Sequence, residues 1–120
     1  GVHFLGKASR KQLSEILKKS TVFCMPSRFE AYGLVFPEAM CYGNLCIGRN
    51  CYEMPYFIDP DLGQLIESDE IDVLAEKMNI LLRDKAALKK AIDIAPEKRD
   101  YYSWEAVAKR ISKVINALSE

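Results

Sequence analysis

Two carboxylates, Glu30 and Glu38, are separated by seven residues in the string Met25-Pro26-Ser27-Arg28-Phe29-Glu30-Ala31-Tyr32-Gly33-Leu34-Val35-Phe36-Pro37-Glu38-Ala39-Met40-Cys41-Tyr42-Gly43. The string reads as strand end, loop, short helix and glycine stop. Gly33 permits a backbone conformation or a close approach that a side chain would forbid; the plainer reading is a turn glycine. Leu34 to Met40 continues apolar, with Pro37 in its first turn, where a missing N–H costs nothing. Gly43 suits the helix C-terminus. The residues before Leu34 therefore deliver free backbone N–H groups at a positive helix end, which is an anion site. Carboxylates beside such a site are poor phosphate ligands, because like charges repel, but good acceptors for sugar hydroxyls. A phosphate centre with a sugar on each side is the shape of a nucleotide sugar. The plain alternative is a solvated loop acid and an ordinary helix acid, and Arg28 either reaches an anion or is a solvated loop residue.

The elements that must position these residues are legible in outline. Val2 to Leu5 reads as a short strand, with His3 as a structural strand residue. Ser9 and Gln12 form a Ser-x-x-Gln capping box, and Leu13, Ile16 and Leu17 then give one helical face, with Lys18 and Lys19 as a helix-end charge pair. Thr21 to Met25 is a β-rich run of the kind that forms a buried strand, and Leu45 to Gly48 is another. Asn50 to Gly63 is irregular, with Pro55 and Pro60, and Gln64 to Ile66 is an edge-like strand. Ser68 or Asp69 caps a helix whose apolar face is Ile71, Leu74, Ala75, Met78, Leu81 and Leu82. Lys85 to Ile94 is a second helix, broken by Pro96. Ser103 caps the last helix, where Trp104, Val107, Ala108, Ile111, Ile115 and Leu118 form a packing stripe. Strands and helices alternating over short links predict an α/β fold, a Rossmann-like parallel sheet of about four strands flanked by helices. Ligands in such sheets bind at the carboxyl ends of the strands, where Glu30 and the Lys7–Ala8 turn both fall.

The 120 residues make one domain with a single core. The 49% apolar and 28% charged content is globular, and the zero formal net charge gives no reason to expect nucleic acid or an acidic membrane as partner. No apolar run approaches the ~20 residues of a membrane span, and no secretory leader is expected. Cys24, Cys41, Cys46 and Cys51 form no C-x-x-C pair, which argues against a zinc site. Cys24 and Cys46 lie in apolar runs and read as small core residues, and the usage suits a reducing cytosol.

Pro26-Ser27, then Glu30-Ala31-Tyr32-Gly33-Leu34, then Glu38-Ala39-Met40, then Gly43 together resemble the core of the group 1 retaining glycosyltransferases, whose two acids make an E-x7-E motif. The resemblance runs to Trp104. It implies the two-domain GT-B arrangement and makes residues 1–120 the later part of the C-terminal, nucleotide-sugar (donor) binding domain. The first strand–helix unit and the N-terminal acceptor domain would be missing. Glu30 then takes the catalytic position, against hydroxyls of the transferred sugar. Backbone N–H groups of Ala31, Tyr32, Gly33, Leu34 and Val35 contact that sugar and the diphosphate, Glu38 holds the ribose hydroxyls, and Gly6-Lys7-Ala8 lies along the base.

The implied activity is hexosyl transfer from a nucleotide-diphosphate sugar, with retention, without metal and without a cofactor, since the nucleotide sugar is a substrate. Positive side chains that replace the metal lie upstream of Val2 in the family. The piece alone is therefore expected to be inactive and at best a weak nucleotide binder. Polysaccharide assembly in the cytoplasm, or at the inner face of the membrane through the missing part, is the family's common role. Departures are Ala31 and Tyr32, where Gly and Phe are frequent, and Tyr56, where the family has an acid. A non-catalytic Rossmann-like nucleotide- or protein-binding module and a GT-B-fold nucleotide-sugar epimerase are the competing readings. The stripe on the last helix is too wide for a solvated helix. The isolated piece is thus expected to self-associate, or to fold that helix back onto its own sheet.

Overall fold

Three short apolar runs, β1 (Val22–Cys24), β2 (Leu45–Arg49) and β3 (Gly63–Ile66), pair in parallel in the order β1-β2-β3. Val22 stands opposite Leu45, and Cys46 opposite Gly63. The computed structural model describes residues 1–118. Six helices complete the described chain: α1 (Arg10–Lys19), α2 (Val35–Cys41), α3 (Met54–Phe57), α4 (Ile71–Arg83), α5 (Lys85–Tyr102) and α6 (Trp104–Ala117). The fold is the expected α/β, Rossmann-like parallel sheet flanked by helices, with three strands among the described residues where about four were expected.

The period-2 alternation of a strand divides the core in two. Cys46 of β2 faces a cluster with Leu17, Phe36, Ala39, Met40, Met54 and Ile58, which α1, α2 and α3 supply. Leu45 and Ile47 face the other way, onto Leu62, Ile66, Leu81 and Ala91, where α4 and α5 close the layer. β2 is thus buried on both sides, and β1 and β3 are the edges.

Several local expectations hold. Ser9 and Gln12 make the capping box, Ser103 Oγ accepts the Ala106 N–H at the start of α6, and Gly43 ends the α2 turn at φ +81°. A Cβ at Gly43 would stand 3.1 Å from the Ile92 Cα, so the missing side chain lets α5 approach the end of α2. Asn44, buried, donates to the carbonyls of Leu17 (2.9 Å) and Ser20 (2.8 Å). This fastens the C-terminal end of α1 to the amino end of β2.

Other expectations are corrected. Val2–Leu5 forms no strand: His3 is exposed and Phe4 is 97% exposed. The run has strand-forming side chains, but a strand exists only through a hydrogen-bonded neighbour, and the described chain offers it none. Residues 50–63 are not wholly irregular, because α3 forms with Pro55 at its start, a position that proline favours. The N-cap of α4 is Glu70, without a side-chain bond. Ser68 Oγ instead accepts the Glu70 N–H at 3.0 Å. On α4, Leu74, Met78 and Leu81 pack inward, but Ile71, Ala75 and Leu82 are exposed.

Pro96 does not break α5, which runs on to Tyr102. Proline removes one helical bond, but buried Ala91 and Ala95 hold the helix on the side that precedes it. Arg99 adds a bond of 2.6 Å to the Cys41 carbonyl. The last helix does not fold back on the sheet. α6 has no buried residue, and Trp104, expected to pack, is 88% exposed. The radius of gyration is 16.0 Å, against roughly 14 Å for a compact domain of this length, so α6 projects from the body.

Candidate functional site at the carboxyl edge of the sheet

Because the three strands are parallel, the segments after β1, β2 and β3 all emerge at one edge. They are tied together there. Phe29 and Tyr52 meet edge to face with centroids 5.2 Å apart. Cys51 Sγ lies 3.9 Å from the Ser27 carbonyl, and Asn50 Nδ2 donates to Glu67 at 2.8 Å.

Glu30 sits half-buried in the connection from β1 to α2, and its Oε1 accepts the Gly33 N–H at 3.2 Å. Gly33 is buried at φ +57°, with Met54 directly against its Cα. The next turn closes with the Phe36 N–H donating to the Gly33 carbonyl at 2.9 Å. Leu34 is the N-cap of α2 and provides no side-chain bond. Among the described residues, the N–H groups of Ala31, Tyr32, Leu34 and Val35 donate to no protein acceptor, while that of Gly33 is occupied by Glu30. Ala31, Tyr32 and Leu34 are exposed, and Val35 is half-buried.

Glu38 is exposed in the first turn of α2. It lines a groove of about 510 Å³ with Leu34, Pro37, Cys41, Tyr102, Trp104 and Val107, where α2 meets the junction of α5 and α6. Glu30 and the segment Ala31–Gly33 lie outside that lining. Gly6, Lys7 and Ala8 form an exposed turn before α1, with Gly6 at φ +65°. The C-terminal end of α1 is fixed by Asn44 at the amino edge of the sheet. Its start is therefore displaced by about 15 Å toward the edge that carries Glu30, without the strand that was expected to lead into it.

Sequence reasoning missed a charged group at the same edge. Asp69 bridges Arg28 and Arg49: its Oδ2 accepts from Arg28 Nη2 at 3.0 Å, and its Oδ1 from Arg49 Nη2. The Arg49 hydrogen bond foremost, with Arg28 adding, holds the Asp69 carboxyl below the usual carboxylate range. The available signal was position: each residue lies at or just after the carboxyl end of a different strand. Asp59 and Asp61, an Asp-x-Asp string, are engaged locally. Asp59 Oδ1 accepts the Asp61 N–H at 2.9 Å, and Asp61 pairs with Lys90. Among the described residues no cluster of three or more His, Cys, Asp or Glu side chains could hold a metal, and no helix is long and apolar enough to cross a membrane.

Residues 1–98 match the family model of the glycosyl transferases group 1, and the chain belongs to that family. It is 27% identical over 126 residues to a GDP-mannose-dependent monoacylated alpha-(1-6)-phosphatidylinositol monomannoside mannosyltransferase of Corynebacterium glutamicum. That match covers 97% of this chain and 32% of the relative. It is 25% identical to the phosphatidyl-myo-inositol mannosyltransferase of Mycolicibacterium smegmatis, over 98% of this chain and 31% of the relative. To the sulfoquinovosyl transferase SQD2 of Arabidopsis thaliana it is 29% identical, over 90% and 22% respectively. The chain thus spans about a third or less of the length of these relatives.

Proposed function

We propose that this chain is the donor-binding part of a glycosyltransferase of the GT-B arrangement, which moves a hexosyl group from a nucleotide-diphosphate sugar to an acceptor. The observation that carries the reading is the family match over residues 1–98, joined to the position of Glu30 at the carboxyl edge, where ligands bind in such sheets. In this reading Glu30 contacts hydroxyls of the transferred sugar. The unoccupied N–H groups of Ala31, Tyr32, Leu34 and Val35 meet the sugar and the diphosphate, and the Gly33 N–H holds Glu30. Glu38 receives the ribose hydroxyls, and Gly6, Lys7 and Ala8 border the base. Transfer proceeds with retention and without a divalent metal, in the cytoplasm or at the inner face of a membrane.

The acceptor belongs to sequence outside this chain. The exposed face of α6, with Trp104, Ile111 and Val114, turns toward that part in the complete protein. In the isolated piece it drives self-association, which sedimentation at micromolar concentration would detect. Relatives named for mannosyl and sulfoquinovosyl transfer match this segment in sequence, so the reading stops at the class of donor.

The test is an assay of the full-length protein against a panel of nucleotide sugars and acceptors, with the anomeric configuration of the product read by NMR. Retained configuration is expected. An inverted product removes the retaining assignment. Nucleotide binding with no transfer to any acceptor would leave a binding module instead.

A further inference from the structure

We infer that Asp69 is a positioning residue for the loop that carries Glu30, acting through an Arg28–Asp69–Arg49 clamp across the carboxyl edge of the sheet. The inference rests on the donor-site reading above. Its three members come from the three strands in turn: Arg28 follows β1, Arg49 ends β2, and Asp69 follows β3. The clamp is asymmetric. The Arg49 side chain is only 15% exposed, and its Nε is enclosed with no acceptor. Asp69 is the only carboxylate bound to Arg49 among the described residues. Arg49 is therefore the fixed end. Asp69 is pinned to it through one carboxylate oxygen and presents the other to Arg28, which is 79% exposed. Position is thus passed from the buried central strand to an open loop, two residues before Glu30.

The local backbone supports this arrangement. The Ser68 hydroxyl accepts the Glu70 N–H, so the bend at 68–70 is held without Asp69, and Asp69 does not cap α4. On the loop side, Phe29 rests against Tyr52 and the Ser27 carbonyl against Cys51. Loss of the clamp would therefore loosen the 27–33 segment rather than detach it. An exposed ion pair adds little to global stability, so keeping the fold together is a weak reason for three charges here. Holding a reacting group to within a fraction of an ångström is a stronger one.

The full-length protein bearing D69N, R28Q, the double change or R28K tests this. In D69N and in R28Q, exchange of the Ser27 and Gly33 amides, the two N–H groups of the 27–33 segment that have acceptors among the described residues, should quicken by about tenfold while α4 and β3 are unchanged, since local opening is read segment by segment. The melting temperature should move by no more than about 2 °C, as for exposed charges. Turnover should fall about tenfold or more through misplacement of Glu30, with the donor KM changing less than about threefold. The double change should be no worse than either single one, as one shared linkage requires, and R28K should retain more than R28Q. Unchanged exchange at Ser27 and Gly33 in D69N overturns the clamp, as do losses that multiply in the double variant. If exchange responds but the unsubstituted protein transfers no sugar, the clamp stands and the transferase reading falls.

Discussion

Met54 lies directly against Gly33: a Cβ on that glycine would stand 2.3 Å from the methionine methyl and 2.9 Å from its sulfur. The short helix after β2 thereby supports the turn after β1. Gly33 is also left-handed, at φ +57°, where a side chain is strained. Gly33→Ala should cost about 1–3 kcal/mol, most of it backbone strain, because the methionine end can yield. Urea unfolding measures this, and an unchanged midpoint would show that the turn relaxes freely.

The two acids should separate in kinetics. Glu30→Gln in the full-length protein should mainly lower kcat, because this acid faces the reacting sugar in the proposed site. Glu38→Gln should mainly raise the donor KM. A lost charged hydrogen bond is worth roughly 1.5–3 kcal/mol, hence about tenfold or more. Equal, small effects in steady-state kinetics with varied donor would dismiss both roles.

The strand–loop–helix pattern around Glu30 and the helix ends were legible because they are local. Gly43, Pro37, Ser9 with Gln12, and Ser103 each act within a few residues of themselves. What was not legible depends on distant partners. Val2–Leu5 has strand-forming side chains and, among the described residues, no strand to pair with. Pro96 is tolerated because Ala91 and Ala95 before it are packed and Arg99 after it is bonded to Cys41, contacts that no window around it contains. Asp69 reads locally as a helix cap, yet its carboxylate is taken by Arg28 and Arg49, 41 and 20 positions away.

Asn44 is the polar member of the core, 1% exposed, with its amide nitrogen shared between the Leu17 and Ser20 carbonyls. Asn44→Ala should destabilise by about 2–4 kcal/mol, since two carbonyls lose their donor. Asn44→Asp should be worse, and increasingly so with pH. Burial raises a carboxyl pKa, so the penalty grows above the unfolded value of about 3.9. Denaturation of both variants at pH 4 and pH 7 would show it, and equal losses at the two pH values would contradict it.

Alkaline conditions should weaken the fold. Burial pushes the Cys46 thiol from 9.0 up to about 12, and Cys24 and Cys41 move the same way for the same reason. Above pH 9 the unfolded chain has lost the Cys46 proton while the folded chain keeps it. Stability therefore falls with pH up to about 12, by at most roughly 1.4 kcal/mol per unit for this one group. Urea midpoints at pH 8, 9 and 10 should decline, and less steeply in Cys46→Ala. Identical slopes would absolve the thiol.

Chelation should leave transfer intact. Asp59 and Asp61 are committed to a local turn and to Lys90, and they stand in the segment leading to β3 rather than beside Glu30. Activity of the full-length protein should survive excess EDTA. Recovery only on adding a divalent ion would overturn metal independence.

The division of the core into two clusters has a consequence during synthesis. Every buried residue of the first cluster lies between Leu17 and Ile58, so that face can be assembled as soon as the first half of the chain has left the ribosome. The second face, beginning at Leu45, is completed only when Ala91 arrives. At about 5–20 residues per second, the 25 residues from Ile66 to Ala91 leave a finished sheet bare on one side for roughly one to five seconds. A nascent chain stalled so that residue 70 has just emerged should then be the form that recruits ribosome-associated chaperones most strongly, and crosslinking of stalled chains of increasing length would show that maximum fade once α5 has emerged.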